Sequence, residues 1–277
     1  MTQSQTQPTI ARRAVGRALR RHREAARMSI ADAAAETGLG RDTISRLEEA
    51  RGKRGAKLPI VRDLCRIYEV DPIETSRLVG LALDSGKRGW WERYPDGNIH
   101  LQPLYLETEQ TATDLRTLDL EFIPGLLQSP AYIDEIMAAS RMSAEAIEGV
   151  RNLRIHRQVL MFERPSLPEM RFAIGMGAIG YLDAMPANVK AEQLAHLNSM
   201  AKRPGINIRI IRQVGPTLGS FTLLTSRTNS GDHETETVVY VDGLDGCRYI
   251  EDPAVIRLYK EPFKLAFDSA TPIEEYT

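Results

Sequence analysis

The stretch Ser29-Ile-Ala-Asp-Ala-Ala-Ala-Glu-Thr-Gly38-Leu-Gly40, continued by Arg41-Asp-Thr-Ile-Ser-Arg-Leu-Glu-Glu-Ala50, decides how the first part of this chain folds. Ser29 stands at an N-cap position, and Asp32 three residues later completes an approximate capping box, with a shorter arm than the usual Glu or Gln. Gly38 closes that helix as a residue free to enter the left-handed region. Only Leu39 and Gly40 separate it from a second helical stretch, Arg41 to Ala50. Ile30, Ala34, Leu39, Ile44 and Leu47 are spaced to close one small core, and Ala34 and Ala35 are small enough for a close crossing. Two short helices joined by a three-residue turn containing Gly are the helix-turn-helix signature.

Working outward, Ala11 to Arg27 reads as a helix with Val15, Ala18 and Leu19 on one stripe, after a polar leader over residues 1–10 that reads as disordered. A loop from Arg51 to Lys57 follows. Pro59 opens a fourth helix through Leu64, Cys65 and Tyr68, and Asp71-Pro72 starts a fifth to about Leu83. This five-helix order resembles the Xre-type helix-turn-helix of phage-repressor-like transcription regulators, mainly over Leu19 to Pro72. Thr43-Ile-Ser-Arg-Leu-Glu48 looks like the recognition helix of that family. Where the family commonly ends that helix with Gly, this chain has Ala50, so a longer helix end and loop are expected. The resemblance also implies that Glu48 pairs with Arg23 of the first helix, orienting the recognition helix without touching DNA.

Composition agrees with a two-part molecule. At about 100–200 residues per domain, 277 residues imply two domains. The net charge of −1 conceals a segregation of sign. Residues 1–70 carry 15 Lys and Arg against 8 acids, +7, and the remainder carries 21 against 29, −8. A small basic module joined to a larger acidic one points to a polyanionic partner, with a merely solvated basic surface as the competing reading. Cys65 and Cys247 lie far apart with no metal-ligand spacing around them, which disfavours a disulfide framework or structural zinc. No apolar run approaches the roughly 18 residues of a membrane span, and MTQSQTQPTI lacks a signal-peptide core. A cytoplasmic protein with no membrane partner is expected.

In a helix-turn-helix, the start of the recognition helix meets base edges while neighbouring helix starts and loops hold phosphates. Arg41, Asp42, Thr43, Ser45 and Arg46 are therefore the side chains expected in the groove. Arg41 or Arg46 has the paired donors for guanine, Asp42 can accept from a cytosine amine, and the Thr43 methyl suits thymine. Ser29, Arg51, Lys53, Arg54 and Lys57 are phosphate candidates. Plain solvent exposure is the competing reading for each. Double-stranded DNA is the expected partner, bound as a homodimer.

Residues 84–96 change composition and read as a linker, in which Trp90 and Trp91 are expected to dock onto a domain. Residues 97–277 then read as an α+β domain. Helices are expected over about 100–110, 130–139, 143–162, 186–202 and 253–268. Strands are expected over 113–122, 170–174, 206–212, 220–226, 237–242 and 247–250.

Chemistry is sparse in this second part. Gly175-Met-Gly-Ala-Ile-Gly180 fits GxGxxG after a strand, but Arg212-Gln213 offers no ribose-binding acid, so a glycine-eased strand-to-helix turn competes with a dinucleotide site. The five histidines show no paired-ligand spacing, Ser220 lacks a nucleophile elbow, and a lone strand Cys247 reads as packing. No enzyme activity, cofactor or metal is expected. Phe122-Ile-Pro-Gly-Leu-Leu-Gln-Ser-Pro-Ala-Tyr132 is more telling. With Leu106-Glu107, Ala112, Arg154, Arg157-Gln158, Gln193-Leu194 and Gly219-Ser-Phe221, it resembles a C-terminal domain of unknown biochemical role in actinobacterial Xre-type regulators, often described as antitoxin-like. That family often has an acid after the strand near Ile174, where this chain has the glycine run. The resemblance implies a small partner protein encoded nearby. Physically, Pro124, Gly125, Leu126, Leu127, Gln128 and Tyr132 form either a structural corner or a ligand or partner groove. The readings that result are a sequence-specific regulator, an antitoxin-like neutraliser with autoregulatory DNA binding, or a DNA-tethered nucleotide-binding enzyme.

Overall fold

The computed structural model describes residues 10–51, 56–84, 103–140, 142–212, 219–227, 235–243 and 247–276. The expectations for the leader, for most of the linker with Trp90 and Trp91, and for Lys53 and Arg54 lie outside these residues. The chain divides into two compact units, one of residues 1–92, 101–108 and 227–235, the other of residues 93–100, 109–226 and 236–277.

The first unit holds α1 (Ile10–Ala25), α2 (Ile30–Thr37), α3 (Arg41–Glu48), α4 (Leu58–Ile67), α5 (Pro72–Asp84) and the first turns of α6 (Pro103–Thr111). Helix α1 lies at its centre: Ala11, Ala14, Val15, Ala18 and Leu19 are fully buried. The starts are dictated locally. The Ser29 hydroxyl accepts from Asp32 N–H at 3.1 Å while Asp32 accepts from Ser29 N–H at 2.8 Å, a complete capping box. The Asp71 carboxylate accepts from the N–H groups of Ile73 and Glu74. The ends follow one rule. Helices α1, α3 and α4 stop where Arg27, Ala50 and Glu69 take φ of 56°, 53° and 54°. The following N–H then bonds back to the last turn, as in Met28 to Arg23, Arg51 to Arg46 and Val70 to Cys65. Two expectations need correcting. Ala35 is exposed, and Ala33, fully buried, is the small residue at the crossing, because the inward stripe of α2 runs through Ile30, Ala33, Ala34 and Thr37. Leu47 is only half-buried, since Glu48 takes the inward place next to Ile44.

Glu107, at 2% exposure, completes this unit. It accepts from Arg21 of α1 at 2.9 Å and from Arg77 of α5 at 3.1 Å. Arg77 also donates to Glu74, and His22 Nε2 stands 3.3 Å from the same carboxylate. Burial works to raise the Glu74 carboxyl, but the Arg77 and His22 hydrogen bonds and charges prevail and hold it down at about 2.

The second unit is built on a seven-stranded sheet in the order β6-β5-β4-β1-β2-β3-β7. The strands are β1 (Ala112–Asp119), β2 (Glu169–Gly175), β3 (Ile206–Ile211), β4 (Phe221–Arg227), β5 (Thr235–Val241), β6 (Arg248–Ile250) and β7 (Thr271–Pro272). Strands β1, β2 and β3 are parallel, while β4 runs antiparallel to β1. Helices α7 (Pro130–Ala138) and α8 (Ala144–Phe162) connect β1 to β2, and α9 (Met176–Asp183) and α10 (Ala187–Ala201) connect β2 to β3. Helices and strands are thus interleaved in this half. Parallel neighbours require such crossovers, and their helices cover the sheet. Helix α11 (Pro253–Asp268) sets Ile256, Phe263 and Phe267 against Leu118, Ala173, Ile211, Leu223 and Val239 on one face. Buried Met170, Phe172, Ile174, Ile206, Ile208 and Ile210 alternate onto the other, where α10 packs on β3.

Candidate nucleic-acid interface

Helix α3 is held from behind. Arg23 Nε and Nη2 donate to the two carboxylate oxygens of Glu48 at 2.7 and 2.8 Å, and Arg23 Nη1 donates to Met28 C=O. Glu48 is 2% exposed, so the pair sits in a dry setting, and its bidentate geometry fixes orientation as well as distance. Hydrogen bonding to Glu48 outweighs burial and raises the Arg23 pKa above its ordinary value. A second clamp is Gly16: a Cβ there would meet Glu48 O at 2.5 Å and Leu47 O at 2.7 Å, so α1 touches the last carbonyls of α3. A third is Arg12, whose Nη2 donates to Arg51 C=O at 2.6 Å, and whose own pKa burial lowers.

The opposite side of α3 faces solvent. Arg41, Asp42 and Arg46 are exposed, and Thr43 and Ser45 are half-buried beside them. Arg46 lies on Asp42 at 2.9 Å, an exposed pair whose worth in water is about 0–1 kcal/mol and which opens readily toward another acceptor. Arg41 makes no side-chain hydrogen bond or ion pair with any described residue. Ser45 donates to Glu49 at 2.9 Å and accepts from Arg51 Nη2 at 3.0 Å, while Arg51 Nε stands 2.5 Å from Glu49. Arg51 is thereby held against the end of α3. The Ser29 hydroxyl is spent on Asp32, which it meets at 2.7 Å. Lys57 is exposed at the start of α4.

Arg12, Gly16 and Glu49 were not singled out from the sequence. A glycine interrupting an Ala-, Leu- and Arg-rich helix is the one signal that marks a close approach. Helix α3 is no longer than eight residues, and Ala50 itself takes the left-handed position expected of Gly.

In the second unit the six corner residues come together, but as interior. Leu126, Leu127, Gln128 and Tyr132 are each at most 4% exposed, so their side chains line no open groove. Gly125 to Leu127 form a 3-10 turn closed by Leu127 N–H on Pro124 C=O at 2.7 Å. Gln128 donates to Ile123 C=O, Gln158 donates to the carbonyls of Gly125 and Gln128, and Gln193 donates to Leu127 C=O and accepts from Ser129 N–H. Tyr132 accepts from Ile123 N–H at 3.2 Å. Gly125 leaves room for Arg157, which would meet a Cβ at 2.7 Å and which pairs with buried Glu109. A buried turn with the carbonyls of Ile123, Gly125, Leu127 and Gln128 each taken by a glutamine is a corner.

The glycine run serves packing as well. Cβ atoms at Gly175 and Gly177 would meet the Leu120 backbone at 2.9 and 2.5 Å, and Leu120 C=O accepts from Ala178 N–H at 3.0 Å. The start of α9, where a pyrophosphate would sit, is therefore filled by the chain's own carbonyl. Burial raises the pKa of both cysteine thiols, Cys65 and Cys247, away from reactivity. Among the described residues no helix is long and apolar enough to cross a membrane, and no three His, Cys, Asp or Glu form a metal-binding group.

Residues 14–78 match the family model of a helix-turn-helix domain, and residues 102–275 match that of a domain of unknown function, DUF5753. Neither the curated proteins nor the solved structures gave a match. A helix-turn-helix domain points to a DNA-binding regulator, and the second match spans more than half of the chain, which therefore belongs to the DUF5753 family.

Proposed function

We propose that this chain is a sequence-specific transcription regulator of the Xre type, which binds double-stranded DNA by placing α3 in the major groove. The observation that carries the reading is the two-sided character of α3: Arg23, Gly16 and Arg12 fix its rear, and Arg41, Asp42, Thr43, Ser45 and Arg46 stand on its solvent side. A rigid helix with a solvent-facing polar front is what reading base edges requires. Arg51, Lys53, Arg54, Lys57 and the α2 start at Ser29 serve the phosphates. Two copies spaced by one helical turn of DNA, about 34 Å, would read a two-fold site, with the larger unit holding them together. The corner at Pro124 to Tyr132 supports placing the chain among actinobacterial regulators with antitoxin-like C-terminal domains. In that setting the acidic unit docks a small partner protein, and the chain acts in the cytoplasm without enzyme activity.

The test uses an operator selected from randomised duplexes. Arg46→Ala should weaken binding about 10- to 100-fold, the 1–3 kcal/mol of one base contact, with the unfolding midpoint unchanged. Arg23→Ala should lower both affinity and midpoint. Full operator affinity in the Arg46 variant overturns the docking.

A further inference from the structure

Helix α11 has two unlike sides. Inward, Phe263 and Phe267 stack at a centroid distance of 5.6 Å, and Lys260 Nζ donates to Thr237 of β5 at 3.1 Å, so the helix is fixed on the sheet. Outward, Leu258 is 70% and Leu265 75% exposed, more than any other large apolar side chain among the described residues of the second unit. A single exposed leucine is ordinary on a protein surface. These two stand seven residues apart, about two helical turns, and so share one side of α11.

The charges beside the leucines define what covers them. Arg257, Glu261, Lys264 and Asp268 are all exposed, and at 3.6 residues per turn they form one row, roughly 50–110° round the helix from the leucines and on the same side of both. Along the row the sign alternates, positive, negative, positive, negative. Such a row complements its own reverse. About a two-fold axis between Glu261 and Lys264, Arg257 meets the second copy's Asp268 and Glu261 meets the second copy's Lys264. Each leucine then lies within about two residues, roughly 3 Å along the axis, of the second copy's other leucine. Two copies of α11 running in the same direction would instead set each charge against its own kind. A two-fold interface must be self-complementary, whereas a partner of unrelated sequence has no use for that symmetry. Exposed ion pairs add little affinity, so the leucines supply the attraction and the charges select the direction.

We propose that two copies of this chain pair through antiparallel α11 helices, with Leu258 and Leu265 interleaved at the centre and the two charge rows matched along one edge. The inference rests on the reading that two copies act together, and names the surface that joins them.

Sedimentation equilibrium of the full chain, without DNA and at low salt, tests it. One helix per copy buries little area, so a monomer–dimer Kd of about 1–100 μM is expected. Leu258→Ser with Leu265→Ser should raise that Kd at least about 30-fold, through the apolar burial lost. Glu261→Lys with Asp268→Lys makes the row wholly positive, and Arg257→Glu with Lys264→Glu makes it wholly negative. Each charge variant alone should self-associate at least about ten-fold more weakly than the parent, and an equimolar mixture of the two should regain the parent's affinity as a heterodimer. That rescue is a result that a damaged fold cannot produce, and all six positions are exposed, so the unfolding midpoints should stay near the parent's. Leu160→Ser, at an exposed position of α8, should leave the pairing unchanged. A dimer that survives the leucine changes, charge variants that each pair as the parent does, or a mixture that does not re-associate overturns the assignment to α11 and leaves the two-copy reading standing. A parent chain that stays monomeric above the expected range also overturns it; the two-copy reading falls as well only if a single copy occupies the operator.

Discussion

Gly16 shows how much one absent methyl group can decide. The peptide carbonyls of Leu47 and Glu48 occupy the place its Cβ would take, so any larger residue must push α1 and the end of α3 apart. Neither partner can give, because both are backbone. Gly16→Ala should therefore cost on the order of 1–3 kcal/mol despite alanine's better helix propensity, the range for overpacking. Because α3 carries the residues proposed to face the groove, the same change should also reduce operator affinity. Denaturant unfolding of the variant decides it: equal or higher stability would mean that α1 and α3 are not in this contact. Residue identity alone hides such roles. Gly16 is legible as an interruption in a helix, but the carbonyls it admits belong to residues more than thirty positions away. Arg23 and Glu48 were legible together only because a resemblance placed them as a pair; charge alone offers Arg23 several acids.

At the scale of elements, the boundaries that local chemistry dictates were legible and those that tertiary contact dictates were not. Ser29 with Asp32, Asp71 and Ser143 each mark a helix start through a hydrogen bond formed within three residues, and Gly38 marks an end by its left-handed φ of 68°. Helix α9 was legible only as one reading of the glycine run, a strand-to-helix turn, since Met-Gly-Ala-Ile-Gly has poor helix propensity; in the fold Leu120 C=O accepts at its start. Strand β7, two residues long, exists only through its pairing with Arg209 and Ile210. The helix ends at Ala50 and Glu69 have a consequence that magnitudes can separate. Both residues occupy a left-handed conformation costing roughly 1 kcal/mol for a side chain with Cβ, which glycine removes at a smaller cost in unfolded-chain entropy. Glu69 is exposed, so Glu69→Gly should stabilise the unit by about 0.5 kcal/mol. Ala50 is 2% exposed, and losing its buried methyl, about 0.8 kcal/mol, cancels the relief, so Ala50→Gly should be neutral within about 0.5 kcal/mol. Paired unfolding curves check the contrast; an equal effect of both changes would mean that burial does not offset strain at the end of α3.

For the molecule as a whole, the charge division proved more informative than the net charge. The +7 segment contains α1 to α4, and of the residues expected at phosphates Ser29 caps α2, Arg51 follows α3 and Lys57 precedes α4. Glu107 shows where that division blurs: it lies beyond the basic segment and inside the 102–275 match, yet closes onto Arg21 and Arg77 of the first unit. Composition could not reveal this, because a single acid in an acidic stretch carries no mark of its partner. Each phosphate neutralised releases condensed counterions, so the logarithm of the binding constant falls by about 0.9 per contact for each unit of log salt. Arg51, Lys53, Arg54 and Lys57 make four cationic candidates per copy, giving an expected slope of about −4 for one bound copy and about −7 for two. Lys57→Ala should weaken specific and scrambled duplexes alike and make the slope shallower by about 1 for each copy, whereas Arg46→Ala should narrow the gap between the two duplexes. Fluorescence anisotropy across 50–200 mM salt, a span suited to such slopes, separates these outcomes. A slope near zero, or a Lys57 variant whose slope equals the parent's, would remove the loop and α4 start from the interface and leave α3 without the contacts that hold it in register.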